Sequence, residues 1–262
     1  NATSYQWYTT NSATPFGNAL NFDGTNDYVD LSNSSLLNFQ SSQAFTLETW
    51  INRRTNGGGV LMSRHNLTVS GQYILAISTN GLVRFQREVS LFNLVSTSAI
   101  PANEWHHVAA TYDGSSMRIY IDGVLSGSMS STAVSSTANT VKTLIGARLL
   151  TNTPGDFYNG EMDEVRIWNV ARSISNIQNN KDIELVGNES GLVAYYKFNQ
   201  GVNASSNTSV TTLNNSTSNS LNGTITNFSL NGATSNFVYN INSGVAISGA
   251  NSTSIRPSTS TA

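Results

Sequence analysis

The chain has 262 residues, a net charge of −2 and only 11% charged residues. That balance excludes a basic footprint for nucleic acid or an anionic membrane, and the length suffices for one large β core or one domain with extensions. Cysteine is absent, which excludes a disulfide framework, a thiolate nucleophile and a cysteine zinc site; no apolar stretch approaches the roughly 20 residues of a membrane-spanning helix.

Residues 1–15 read as a lead-in. Its segment Tyr5–Tyr8 (YQWY) is either an edge strand of this domain or the end of a preceding immunoglobulin-like repeat. The start at Asn1, without a visible secretory leader, reads as that of a piece cut from a longer chain. From Asn18 onward, short strand signals recur between Gly, Asn, Asp and Ser. The first is Ala19–Asp30 (ALNFDGTNDYVD), a strand with a turn attached. Phe45–Ile51 (FTLETWI) is the next strand phrase. Tyr73–Ile77 and Leu82–Phe85 flank Asn80-Gly81, the turn chemistry of a hairpin. A second hairpin joins Val108–Tyr112 to Met117–Ile121, and Asp122-Gly123 opens a third turn. Val141–Ile145 and Glu161–Trp168 supply further strands. A short helix is expected at about 173–183, capped by Ser173 or Ser175, with Ile174, Ile177 and Ile183 facing the core. Gly191–Phe198 is again a strand, followed by a polar stretch and the phrases Leu221–Phe228 and Ser235–Val238. Such a density of short strands points to an antiparallel sandwich.

Four phrases in fixed order resemble the bacterial laminin-G-like, concanavalin A-like jelly-roll family: Ala19–Asp30, Phe45–Ile51, Trp105–Gly123 (WHHVAATYDG running to IYIDG) and Gly160–Trp168 (GEMDEVRIW). The resemblance covers about 18–170 strongly and 191–238 more loosely. It implies an all-β, antiparallel jelly-roll β-sandwich with one short helix over 16–238. Residues 191–238 are expected to close that sandwich, as in a circular permutation, or to begin a truncated second repeat. Residues 239–262, rich in Ser, Thr and Asn, read as a linker or the start of a following repeat.

Asp23, Asn26 and Asp27 lie in a glycine-containing turn where several oxygens can converge, as calcium requires. The resemblance implies a structural Ca²⁺ held by Asp23 and Asp163, with Asn26 and the Gly160 backbone helping. The other reading is that these side chains only satisfy turn backbone groups. The acidic run Glu161–Glu164 is superficially similar to the strand motif of jelly-roll glucanases, whose retaining chemistry needs two carboxyl groups about 5–5.5 Å apart. Alternation on a strand puts Val165 where the partner acid should stand, so hydrolysis is not expected. His106 and His107 face opposite ways on a strand and are read as structural. Trp50, Trp105 and Trp168 sit inside strand phrases and are read as core. Ligand candidates are sought on loops, at 53–65, 84–92 and 151–158, with Asp156, Phe157 and Tyr158 foremost.

The resemblance implies a non-catalytic binding or adhesion module of a large secreted bacterial cell-surface protein, of the kind found in gliding bacteria. Its partners would be a glycan or surface ligand and the neighbouring domains of a longer chain. Two other readings remain open: a structural spacer in a surface fibre, and an accessory carbohydrate-binding domain of a polysaccharide-degrading enzyme. A lyase on the same sandwich would have to draw on Tyr112, Tyr120 and His107, which nothing in their spacing favours.

Overall fold

The computed structural model describes residues 17–40, 42–67, 69–87, 92–131, 140–232 and 236–239. The lead-in expected at 1–15 and, from residue 240 on, the expected linker lie outside them. In chain order the strands begin with β1 (Asn18–Asp23), β2 (Tyr28–Asp30), β3 (Phe45–Arg53), β4 (Gly59–Asn66), β5 (Val69–Ile77) and β6 (Leu82–Arg87). They continue with β7 (Phe92–Ala99), β8 (Trp105–Tyr112), β9 (Ser116–Ile121), β10 (Val124–Ser130), β11 (Leu144–Ile145) and β12 (Arg148–Leu149). The last are β13 (Pro154–Gly155), β14 (Asn159–Trp168), β15 (Leu192–Tyr196), β16 (Thr212–Leu213), β17 (Gly223–Thr226) and β18 (Phe237–Tyr239), and one helix, α1, spans Ile174–Asn180.

The strands form two large antiparallel sheets. One runs β10-β9-β8-β3-β14-β1-β18, with β15 also paired to β14; the other runs β16-β17-β2-β11-β4-β5-β6-β7. This is the concanavalin A-like jelly-roll sandwich that the sequence motifs imply. The late segments enter both sheets: β15 extends β14, β18 pairs with β1, and β17 pairs with β2. The hairpin turns follow their sequences. Asp122 and Gly123 both have positive φ, as a two-residue turn with the twist of its flanking strands requires.

Alternation along each strand sends one set of side chains into the space between the sheets. Leu20, Phe22, Leu47, Ile51, Leu75, Phe85, Ile119, Met162, Val165 and Ile167 belong to one continuous core. At one end of it Phe39 stacks on Phe45 at 4.8 Å, and the buried Arg87 guanidinium lies 4.1 Å from the Tyr112 ring centre.

The outer face of the first sheet has its own cover. The three tryptophans among the described residues are buried, but in satellite clusters there: Trp50 and Trp105 pack with Ala19, and Trp168 with Leu185, Leu192 and Tyr195. Helix α1 begins at Ser173, whose hydroxyl accepts from the Asn176 N–H at 3.2 Å. It is shorter than the sequence suggests, and Ile174 and Ile183 are exposed. A two-turn helix lying on a sheet buries little more than one position, here Ile177 against Ala109 and Tyr120. The loop after it is held by buried polar groups. Arg166 donates to the Asn180 and Ile183 carbonyls at 2.9 and 2.6 Å and pairs with Glu164 at 2.5 Å. Tyr195 donates to the same Glu164 oxygen at 2.5 Å, and the Trp168 indole donates to Glu48 at 2.8 Å. A β-bulge in β14 makes this network possible. Between Asp163 and Arg166 the strand carries one more residue than β3, with Glu164 at φ +53°. The regular alternation expected for Glu161–Glu164 is broken there, and Glu164 joins Arg166 on the outer face.

Candidate functional site

The outer face of the second sheet carries an open cavity of about 240 Å³ across β4, β5 and β6. Strand alternation builds its floor. Val83 and Phe85 point inward to the core, so Arg84 and Gln86 between them point outward. Their partners across the ladder are Ala76 and Ile74, and Val60 of β4 stands opposite Ala76. The floor is therefore small and apolar, with a guanidinium and a carboxamide rising at one side.

The other wall comes from the excursion between β11 and β14. The small β12–β13 hairpin lies against β4, and the Val60 N–H donates to the Asp156 carbonyl at 2.9 Å. Asp156 adopts φ +53°, a left-handed conformation that Asp tolerates, and its carboxylate pairs with Arg148 at 2.5 Å. Phe157, half-buried, lines the cavity beside this pair, its ring 6.4 Å from that of Tyr28. Gly59 lets the two walls close: a Cβ there would lie 2.3 Å from the Phe157 carbonyl oxygen, at φ +124°. Under the hairpin, burial pushes His65 down to about 4, with Arg148 adding to the shift, so the imidazole is neutral near pH 7.

Of the expected ligand residues, Asp156 and Phe157 line this cavity and Tyr158 does not. Tyr158 is fully buried in the inter-sheet core, edge-on to Phe22, with its hydroxyl donating to the Glu161 carbonyl at 3.3 Å. Its N–H donates to the Gly146 carbonyl at 2.9 Å, which fixes the backbone at the point where the chain turns into β14. The segments expected to be loops at 53–65 and 84–92 are strand at 53, 59–65, 84–87 and 92, and residues 88–91 lie outside the described residues. Arg84, Gln86 and Arg148 are the site residues that the sequence reading did not single out. The inward pair Val83 and Phe85 marks Arg84 and Gln86 as outward, but nothing local shows that a hairpin 60 or more positions later overhangs them.

Of the residues expected to hold calcium, Asp163 stands apart from the other three. Asp23 stands opposite Asn159 and Phe22 opposite Gly160, so Asp23, Asn26 and Gly160 lie in one region. Asp163 is three further along β14, one beyond the Leu20–Met162 pair, which puts it about 13 Å from Asp23 at 3.3 Å per residue. One carboxylate oxygen of each Asp is already engaged. Asp23 accepts from the Thr25 and Asn26 N–H groups, Asp27 from the Asp23 N–H and the Asn236 amide, and Asp163 from the Glu164 N–H. Among the described residues no three His, Asp or Glu side chains are placed to share a metal ion. The donor set thus does not fit the six to eight convergent oxygens of a calcium site.

The histidines are structural. His106 bonds Asp122 at 2.8 Å, and buried His107, pushed down to about 3 by burial and then by Arg166, lies 3.6 Å from Glu48. Tyr112, Tyr120 and His107, the set a lyase would need, are all buried. Among the described residues no helix is long and apolar enough to cross a membrane.

Comparison with known proteins agrees with this architecture. Among curated proteins none matches the sequence. A Bacteroides ovatus structure, titled a "putative carbohydrate binding protein", is similar with a TM-score of 0.63 at 22% identity, covering 81% of this chain. This chain spans 58% of the length of that one. The CBM40 of Ruminococcus gnavus IT-sialidase, bound to α2,3-sialyllactose, is similar with a TM-score of 0.52 at 15% identity, over 62% of this chain and 96% of its own. At these identities the likeness is one of fold. The model of the concanavalin A-like lectin/glucanases superfamily matches residues 23–178, more than half of the sequence, and the chain belongs to that superfamily.

Proposed function

We propose that this chain is a non-catalytic carbohydrate-binding module of a secreted bacterial surface protein, and that the cavity over β4–β6 is its glycan site. The observation that carries the reading is the lining: a small apolar floor, an outward-facing Phe157 and convergent polar groups from Arg84, Gln86, Arg148 and Asp156. Sugars are held by this combination of a flat apolar face and directional hydrogen bonds. Superfamily membership and the carbohydrate-binding titles of the two similar structures support it. The surface setting rests on the resemblance of the motifs to those of adhesin modules.

The lining also argues for binding without turnover. Asp156 is the one carboxylate in it, and Arg148 already holds that group. Two-carboxylate glycoside hydrolysis has no second acid here.

The test is a glycan array probed with the purified protein and with Ala76→Trp. Ala76 lies on the floor between Val60 and Arg84, so an indole there occupies the cavity. Binding to one glycan class by the parent, lost in Ala76→Trp at unchanged Tm, is expected. Binding that survives the substitution would place the site elsewhere.

A further inference from the structure

Resting on the reading of this cavity as a glycan site, we infer that its ligand carries an acidic substituent, a carboxylate or a sulfate, which Arg84 receives. The cavity holds two guanidinium groups in different states. Arg148 is neutralised by Asp156 at 2.5 Å and is half-buried in that pair. Arg84 is exposed at the rim and makes no side-chain hydrogen bond or ion pair among the described residues. Asp156, the lining carboxylate, is paired with Arg148, so among the described residues the cavity lining leaves the Arg84 charge without an ion-pair partner.

The position of that charge is set by the ladder. Arg84 pairs with Ala76 on one side and with the exposed Val95 of β7 on the other. Neither neighbour offers it a polar partner, and Ala76 leaves space in front of it. Two residues on, on the same face, the Gln86 carboxamide is likewise without a hydrogen-bond partner among the described residues. A planar guanidinium beside a carboxamide, over an apolar floor, suits an oxyanion flanked by a hydroxyl. A neutral sugar would satisfy Gln86 and the Arg148–Asp156 pair but leave the Arg84 charge to solvent. The Arg148–Asp156 pair then serves the ring hydroxyls, since both residues line the same cavity.

The experiment is calorimetric titration with matched acidic and neutral pairs: oligogalacturonate and its methyl ester, sialyllactose and lactose, dextran sulfate and dextran. The acidic member of at least one pair should bind about tenfold to a hundredfold more tightly, the worth of a charge-assisted hydrogen-bonded contact. Arg84→Gln should erase that preference, Arg84→Lys should keep part of it, and both should melt with the parent because Arg84 is exposed. The preference should also shrink between low and high salt. A uronate or sialate preference identifies a carboxylate; a preference confined to dextran sulfate identifies a sulfate. Equal binding within every pair, or an acid preference that Arg84→Gln leaves intact, overturns the assignment to Arg84. If neutral glycans bind and Ala76→Trp abolishes that binding, the glycan site stands while the acidic specificity falls. If nothing binds in any arm, both fall together.

Discussion

Arg166→Met is the perturbation that interrogates the covered face of the first sheet most directly. Arg166 is 1% exposed, between Glu48, 3.9 Å away, and Glu164, 2.5 Å away, both equally buried. Methionine keeps the length of the side chain and removes its charge. Two carboxylates then remain in the interior, Glu164 with only its Tyr195 bond and Glu48 with its Trp168 bond, and the Asn180 and Ile183 carbonyls lose a donor. Breaking a buried pair by deleting one partner costs about 3–5 kcal/mol, because the stranded charge has left water without compensation. For a chain of this size that corresponds to a fall in Tm of about 6–20 °C at pH 7. The cost should depend on pH with a definite sign. Burial already raises Glu164 above the ordinary glutamate value, and loss of the guanidinium raises it further. A carboxyl group raised in the folded state favours folding below its unfolded pKa and loses that advantage as pH rises through the folded value. The deficit of Arg166→Met should therefore narrow as pH falls from 7 to 5. Calorimetric scans of parent and variant across that range provide the measurement. A Tm within about 2 °C of the parent at pH 7 would show that these charges are not desolvated as their burial indicates.

Asp27→Asn tests a second buried carboxyl group. Burial, with Asp23 adding repulsion, raises Asp27 to about 6 against hydrogen bonds from Asp23 and Asn236 that work to lower it. Its contribution is full below pH 3.8 and lost as pH rises through 6, so the amide should stabilise the protein at pH 8 by at most about 3 kcal/mol and have no such effect at pH 4. Urea unfolding at the two pH values distinguishes this from no change at either. Calcium is expected to leave the protein's melting temperature where EDTA leaves it, because Asp163 lies far from Asp23 and one oxygen of each already accepts a backbone N–H. A rise of several degrees in calcium that Asp23→Ala removes would contradict that geometry.

Local chemistry in the sequence determined a great deal here. The Asn80-Gly81 and Asp122-Gly123 turns, the alternating runs of β5, β6, β8 and β9 and the Ser173 cap all follow from short-range rules of backbone sterics and side-chain period. They suffice for the sandwich and for the burial of Trp50, Trp105 and Trp168. What lay beyond them depended on which strands meet. The register of β1 on β14 separates Asp163 from Asp23, although motif order suggested a shared metal. The bulge at Glu164 converts an acidic strand motif into a structural ion pair, and no residue type in that run announces it. The cavity is the clearest case. Arg84 and Gln86 were legible as outward-facing, and Asp156 and Phe157 as candidates, yet they belong to segments about 70 residues apart. Only the fold of the 146–158 excursion onto β4 makes them one site, because contacts between distant segments depend on the packing of the whole sheet and leave no trace in local periodicity.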